Sequence, residues 1–160
     1  MRAVVQRVLR AAVTVEGETT GQIGAGLLVY LGIAPVDGDR EVEWLAKKVV
    51  ELRVFPDETG RLDRSVLEAD GAVLLVSQFT LYADTRRGRR PAFTDAAPPE
   101  VAAPLVDRVA SAVRARGVMV EGGRFGAHML VDAVNDGPVT ILLDSDDLER
   151  PRHGSASAGR

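Results

Sequence analysis

Residues 72–81 read Ala-Val-Leu-Leu-Val-Ser-Gln-Phe-Thr-Leu, the most apolar stretch of the chain, with polar side chains where it ends. A short, continuous apolar run of this length is typical of a buried strand. Polar groups that close a buried strand mark its exit to solvent, or they line a cleft beside it. Valine-rich or alternating runs predict further strands at 1–8, 12–16, 27–33, 53–55, 118–121, 128–134 and 139–143.

Two helices are expected between these strands. Val42, Leu45 and Val49 recur at helical spacing after Asp37-Gly38-Asp39, where either aspartate is a suitable N-cap. A second apolar stripe predicts a helix over about 99–116, ended by a glycine. The order of strands and helices favours a single α+β domain at 1–145. We expect a mainly antiparallel, barrel-like β-sheet flanked by two helices, and a polar, disordered tail at 146–160.

Composition excludes several kinds of chemistry. The 160 residues have a formal net charge of -3, no cysteine and two histidines. Disulfides, thiol nucleophiles and cysteine-bound zinc are therefore ruled out, and we expect no metal and no cofactor. Dinucleotide, P-loop and nucleophile-elbow motifs are missing. No apolar run approaches the length of a membrane span and the N-terminus does not resemble a signal peptide, so we expect a cytoplasmic protein without a membrane partner.

Three segments stand out as candidates for function. Ser77–Thr80 either leaves the core or presents hydroxyl and N–H groups that hold an oxyanion. Asn135–Pro138 (Asn-Asp-Gly-Pro) is a hairpin turn or, if its X–Pro bond is cis, a rigid polar edge. The third is a dense basic cluster in a predicted loop, either a solvated surface or a set of phosphate contacts. Its arginines are Arg86, Arg87, Arg89 and Arg90.

Ser-Gln-Phe-Thr-Leu at 77–81, together with Asn-Asp-Gly-Pro-Val-Thr at 135–140, resembles the two signature motifs of the D-aminoacyl-tRNA deacylase family. Gly-Arg-Phe-Gly-Ala-His-Met at 123–129 is similar to a further stretch of that family. The resemblance runs from residue 1 to about residue 145. It implies a hydrolase that cleaves the ester of D-aminoacyl-tRNA, and of mischarged glycyl-tRNA, while rejecting L-aminoacyl-tRNA.

The resemblance also implies roles for individual residues. It implies a homodimer in which a cis Gly137-Pro138 bond reaches into the partner subunit's site, braced by Arg7. Phe125 and Met129 match positions that pack around the terminal adenosine of tRNA. The rest of the catalytic pocket is formed by Ser77, Gln78, Phe79 and Thr80.

The source of catalysis stays open between two alternatives. The tRNA's own 2′-hydroxyl assists the reaction, or Thr80 acts as a nucleophile, although an unassisted threonine hydroxyl is weak. Two other functions compete with deacylation. One is a non-catalytic RNA-binding module that uses the arginine cluster. The other is a serine hydrolase that pairs Ser77 with His128.

Overall fold

The computed structural model describes residues 1–149, and within them the chain forms eight strands and two α-helices. The helices are α1 (Asp39–Glu51) and α2 (Pro99–Arg114). The strands are β1 (Arg2–Val15), β2 (Glu18–Ile23), β3 (Gly26–Gly32), β4 (Phe55–Pro56), β5 (Leu62–Arg64), β6 (Ala72–Ser77), β7 (Met119–Gly122) and β8 (Leu130–Asp144). No helix in this part of the chain is long and apolar enough to cross a membrane.

The main sheet is mixed rather than mainly antiparallel. β1 pairs antiparallel with β2, β3 and β8, whereas β3–β6 and β6–β7 are parallel pairs. The parallel pairs follow from the helices, because α1 lies between β3 and β6 in the chain, and α2 between β6 and β7. A crossover connection of this kind returns the chain in the same direction. β4 and β5 form a separate two-stranded sheet.

The sheet curls into the barrel-like shape that the sequence predicts. Its two ends meet at Gly21 and Gly122, where a Cβ on Gly21 would lie 2.5 Å from the Gly122 carbonyl oxygen. Much of both faces is buried. One packs against the two helices through residues such as Leu27, Leu45 and Val109, and the other fills the barrel interior. A two-helix, barrel-like α+β domain is therefore confirmed.

The last strand contradicts the predicted hairpin. Residues 130–144 run as one strand along β1 instead of turning back at Asn135–Pro138. The register passes from Gln6↔Thr140 to Val8↔Asn135, so the motif bulges out of the ladder opposite Arg7. The turn residues are used for a bulge because β1 is itself one continuous strand and offers partners on both sides of the motif.

Two smaller expectations also change. The N-cap of α1 is Gly38, not an aspartate, and its N–H donates to the Glu41 side chain at 2.9 Å. The predicted tail at 146–160 begins within a short 3₁₀ turn at Ser145–Leu148. Residues 150–160 lie outside the described part, so the disordered tail stays a prediction there.

Candidate active site

A cavity of about 570 Å³ opens beside the end of β6. It brings together two segments that are far apart in sequence, the strand end at 77–79 and the loop at 125–129. Phe93 and the start of α2 complete its wall. Ser77, Gln78, Phe79, Phe125 and Met129 therefore line one cavity, whereas Thr80, which the sequence places in the same pocket, is not part of its wall. A cavity of this size is within the usual range for small-molecule sites.

The polar end of β6 turns sharply at the cavity. Gln78 N–H donates to the Leu31 carbonyl at 2.7 Å, and residues 79–82 then form a 3₁₀ turn. The side-chain amide of Gln78 donates to Thr80 Oγ1 at 2.5 Å, which fixes the orientation of the exposed hydroxyl. The first N–H groups of a helical turn have no partner within it, so those of Phe79 and Thr80 are available to an oxyanion.

The cavity wall carries little charge. Within residues 1–149, its lining includes no aspartate, glutamate, lysine or arginine, and His128 is its titratable side chain. Ser77 and His128 both line the cavity, but no side-chain hydrogen bond joins them in the described residues. The structure therefore contains no serine–histidine couple in this part of the chain. No cluster of three or more potential metal ligands occurs in the described residues.

The Asn135–Pro138 bulge is held from several directions. The Asn135 amide donates to the Arg7 carbonyl at 2.9 Å and to the Val139 carbonyl at 3.1 Å, closing the bulge at its base. Gly137 has φ +127°, and a Cβ there would lie 2.8 Å from Val139 N. Glycine is therefore required at this position. The Gly137–Pro138 bond is cis, and both residues are exposed.

Arg7 supports the bulge from the side. Its Nη1 donates to the Val54 carbonyl at 2.6 Å, and its Nη2 faces Gly137. Its Nε lies 2.9 Å from an Asp136 carboxylate oxygen as a charge pair, but the N–H is not aligned for a hydrogen bond. Because Arg7 is buried, loss of this side chain would leave Asp136 and the bulge without their support.

Within one chain, the bulge does not reach the cavity. Arg7 pairs with Leu27 and Leu27 with Val73, whereas Ser77 lies four residues further along β6. That offset is about 13 Å along the strand direction, with further strand spacings across the sheet. Gly137 and Pro138 accordingly do not line the cavity, and neither does Arg7.

An exposed apolar row lies between bulge and cavity. Leu142, Val4 and Tyr30 stand side by side on β8, β1 and β3, and the row continues to Val76 in the cavity wall. Leu142 is 77% exposed, and Val4 and Tyr30 are partly exposed. The sequence does not predict this row, because the alternation of side chains in β1 and β8 does not show which part of the sheet the rest of the fold leaves exposed.

The arginine cluster lies on a tied loop, residues 84–92, which we call the arginine strap. Two backbone hydrogen bonds between Asp84 and Ala92, of 2.7 and 2.9 Å, close its base. Arg86 pairs with the Asp84 carboxylate through two side-chain hydrogen bonds of 2.8 Å, and these lower the pKa of Asp84 to about 2. The exposed guanidinium groups of Arg87, Arg89 and Arg90 make no ion pair in the described residues.

Sequence reasoning missed two contributors to this region. Asn135 belongs to the Asn-Asp-Gly-Pro motif, but the sequence does not identify it as the residue that closes the bulge. Phe93 was not identified at all, although its ring lines the cavity and contacts Phe79. An isolated aromatic residue in a proline-rich loop gives no periodic signal, so only the tertiary structure reveals its place.

Comparison with known proteins identifies close relatives. A protein of Roseiflexus sp. (strain RS-1) called D-aminoacyl-tRNA deacylase is 61% identical over 153 residues, covering 96% of this chain and 99% of its own. A protein of Symbiobacterium thermophilum with the same name is 60% identical over 146 residues, covering 91% and 97%.

Solved structures share the fold. One described as c-Myc DNA Unwinding Element Binding Protein has a TM-score of 0.85 and 43% identity, covering 91% of this chain and 99% of its own. A probable eukaryotic D-amino acid tRNA deacylase has a TM-score of 0.77 at 20% identity, covering 89% and 97%, a likeness of fold alone. The family model described as D-Tyr-tRNA(Tyr) deacylase matches residues 4–144. The chain belongs to that family.

Proposed function

We propose that this chain hydrolyses the ester bond between a D-amino acid and the 3′ end of tRNA, releasing both. The observation that carries the proposal is the cavity, which joins Ser77–Phe79 to Phe125 and Met129 in a chain of this family. Two relatives, 61% and 60% identical to this chain over most of their length, carry the name of that activity.

Hydrolysis needs a polarised carbonyl, a placed water and a proton acceptor. The N–H groups of Phe79 and Thr80 are suited to bind the oxyanion, a contribution of about 2.7–4 kcal/mol per donor in acyl transfer. Because the wall of the cavity offers no carboxylate, we assign the assisting role to the tRNA's terminal 2′-hydroxyl. Thr80 then positions the substrate, since its hydroxyl is engaged by Gln78 and has no adjacent base.

We assign the rejection of L-aminoacyl-tRNA to the backbone edge at Gly137-Pro138. A margin of about 10⁴ between D and L substrates corresponds to roughly 5.4 kcal/mol in the transition state. Selection by the fit of a side chain provides only about 1–3 kcal/mol per methylene group. A fixed main-chain edge that faces Cα collides with any L side chain and accepts hydrogen there, as in a D-residue or in glycine. Glycyl-tRNA is therefore included among the substrates.

The edge acts, we propose, in the cavity of a second copy. The separation of bulge and cavity within one chain supports this, and so does the exposed row of Leu142, Val4 and Tyr30 between them. If a two-fold axis passes through this row, the same row of both copies forms the interface. The bulge end of the row in one copy then lies beside the cavity end of the row in the other. Each bulge is then brought to the partner's cavity in a homodimer with two shared sites.

The remaining parts of the substrate are assigned as follows. Phe125 and Met129 pack around the terminal adenosine, since an aromatic ring and a polarizable thioether suit a flat purine. Arg87, Arg89 and Arg90 contact phosphates of the acceptor end, with Arg86 mainly holding the strap through Asp84. Because aminoacyl-tRNA is a component of translation, the proposal places the enzyme in the cytoplasm.

A deacylation assay tests the proposal. Purified protein is incubated with D-tyrosyl-, L-tyrosyl- and glycyl-tRNA, and the surviving ester is measured over time. We expect rapid loss of the D-tyrosyl and glycyl esters and survival of the L-tyrosyl ester. Equal cleavage of both enantiomers contradicts the role of the backbone edge, and the absence of any cleavage contradicts the deacylase function.

A second candidate, nucleic-acid binding without catalysis, is favoured by the name of one solved relative and by the exposed arginines of the strap. The same assay separates the two functions. A binding module retains aminoacyl-tRNA and releases no amino acid, and its affinity does not depend on the chirality of the ester. A fluorophosphonate probe tests the serine hydrolase alternative, for which we expect no labelling of Ser77.

A further inference from the structure

Phe93 connects the arginine strap to the cavity. It follows Ala92, whose backbone hydrogen bonds to Asp84 close the strap, and its half-buried ring lines the cavity wall. The ring meets that of Phe79 edge-on, with centroids 4.9 Å apart and planes at 74°. Edge-to-face pairs of this geometry attract one another beyond the area that they bury.

Phe79 needs such a partner. Its side chain is 57% exposed, and in residues 1–149 Phe93 provides its aromatic contact. Phe79 also lies between Gln78 and Thr80, the two residues joined by a side-chain hydrogen bond at the polar end of β6. The orientation of the Phe79 ring is therefore linked to the backbone of the 79–82 turn beside the cavity.

We propose that Phe93 is a positioning residue, which holds Phe79 and the 79–82 turn in place and couples them to the strap. The inference rests on the proposed function of the cavity. Phe93 acts through Phe79 rather than on the reacting atoms. Phosphate groups bound at the strap then favour one placement of Phe93, so that binding of the RNA and alignment of the turn are linked.

A double-mutant cycle in steady-state deacylation of D-tyrosyl-tRNA tests this inference. The wild type is compared with Phe79→Ala, Phe93→Ala and the double variant. We expect Phe93→Ala to lower kcat about tenfold, near the upper value for an aromatic pair, with KM changed less than about threefold. We expect the double variant to be no slower than Phe79→Ala, because residues that act as one unit are not additive.

Three further variants separate positioning from general packing. Phe93→Tyr keeps the ring edge and should restore wild-type kcat. Phe93→Leu keeps the apolar volume without the ring and should retain the defect; it also replaces Phe93→Ala in the cycle if the alanine variant does not fold. Thr94→Ala, an exposed neighbour, is the matched control and should behave as wild type.

The outcomes distinguish this inference from the proposed function. A wild-type protein that cleaves no D-aminoacyl-tRNA overturns the proposed function itself. An active wild type whose Phe79 and Phe93 losses add independently overturns the positioning role alone. So does a Phe93→Leu variant with the kcat of the wild type.

Discussion

The cavity at the end of β6 and the bulge at Asn135–Pro138 are built in opposite ways. The cavity is concave and nearly uncharged, and its polar groups are held by few bonds, such as that from Gln78 to Thr80. The bulge is convex and is fixed by the Asn135 amide and by a buried arginine. A mostly apolar cavity without charged walls suits many side chains, whereas an edge fixed by hydrogen bonds suits selection that does not depend on the side chain.

This difference teaches where each kind of variant should act. Changes at the bulge should alter the discrimination between enantiomers and also slow cleavage of D substrates, because a displaced edge no longer fits against Cα of the bound ester. Changes in the cavity should alter rate or binding more gradually, because neighbouring groups can compensate. The two regions are separate in one chain, so the comparison also predicts that a complete site requires two chains.

The largest effect should come from Gly137→Ala. A Cβ at this position overlaps Val139 and approaches Arg7, so the bulge must move. A displacement of about 1 Å near a reacting centre costs about 10²-fold, and we expect at least that loss in kcat/KM for D-tyrosyl-tRNA.

Gly126→Ala is the matched control on the cavity side. Gly126 also has a positive φ, of +75°, but a Cβ there meets nothing within 4 Å. It should cost about 1 kcal/mol of stability and change kcat/KM far less than Gly137→Ala. Equal losses of activity in the two glycine variants would show that the bulge is not specially constrained.

Arg7→Ala should produce the next largest effect. Loss of the Arg7 side chain leaves the buried Val54 carbonyl without a hydrogen-bond partner, which costs about 1–3 kcal/mol. Chemical denaturation followed by the fluorescence of Trp44 measures this loss of stability. Arg10 is the control on the same strand, since its pair with Asp132 is exposed and spans 3.7 Å. Arg10→Ala should change the free energy of unfolding by less than about 1 kcal/mol. A comparable loss in both variants would remove the case for Arg7 as the support of the bulge.

Thr80→Ala should have a moderate effect. If Thr80 positions the substrate, single-turnover deacylation should slow by no more than about tenfold, or ~1.4 kcal/mol. Thr80→Ser, which keeps the hydroxyl bonded to Gln78, should remain near the wild type. A several-thousandfold loss in Thr80→Ala would instead identify the hydroxyl as the nucleophile. A single substitution at the cavity would then cost as much activity as one in the bulge.

Single changes in the arginine strap should have the smallest effect. Arg87→Ala should raise the dissociation constant for tRNA a few fold and reduce the slope of log affinity against log salt by about 1. Arg86→Ala should reduce the slope less, because Asp84 already neutralises this arginine. Identical slopes in wild type and Arg87→Ala would make the strap an ordinary solvated surface.

The sequence predicted the elements better than their pairing. The apolar run at 72–77, the two amphipathic helices and the polar end of β6 are where periodicity places them. Of the two interpretations of the Asn-Asp-Gly-Pro motif, the hairpin is wrong, because turn chemistry alone does not distinguish a turn from a bulge in a longer ladder. The parallel pairs follow from the strand–helix–strand order, which the sequence already indicates. The contact between Phe79 and Phe93, by contrast, depends on tertiary packing, for which local sequence carries no signal.

Subunit complementation tests most directly the claim that cavity and edge come from different chains. Ala96 lies in the cavity wall, and its replacement by tryptophan fills the cavity. Gly137→Ala, which disrupts the edge, is mixed with Ala96→Trp, and the chains are exchanged by reversible unfolding. Each variant alone should retain about a hundredth or less of wild-type activity on D-tyrosyl-tRNA. Random pairing gives one intact site in each mixed dimer, so the mixture should recover about a quarter of wild-type activity. A mixture that stays as inactive as its two components, although mixed dimers form, would contradict the account.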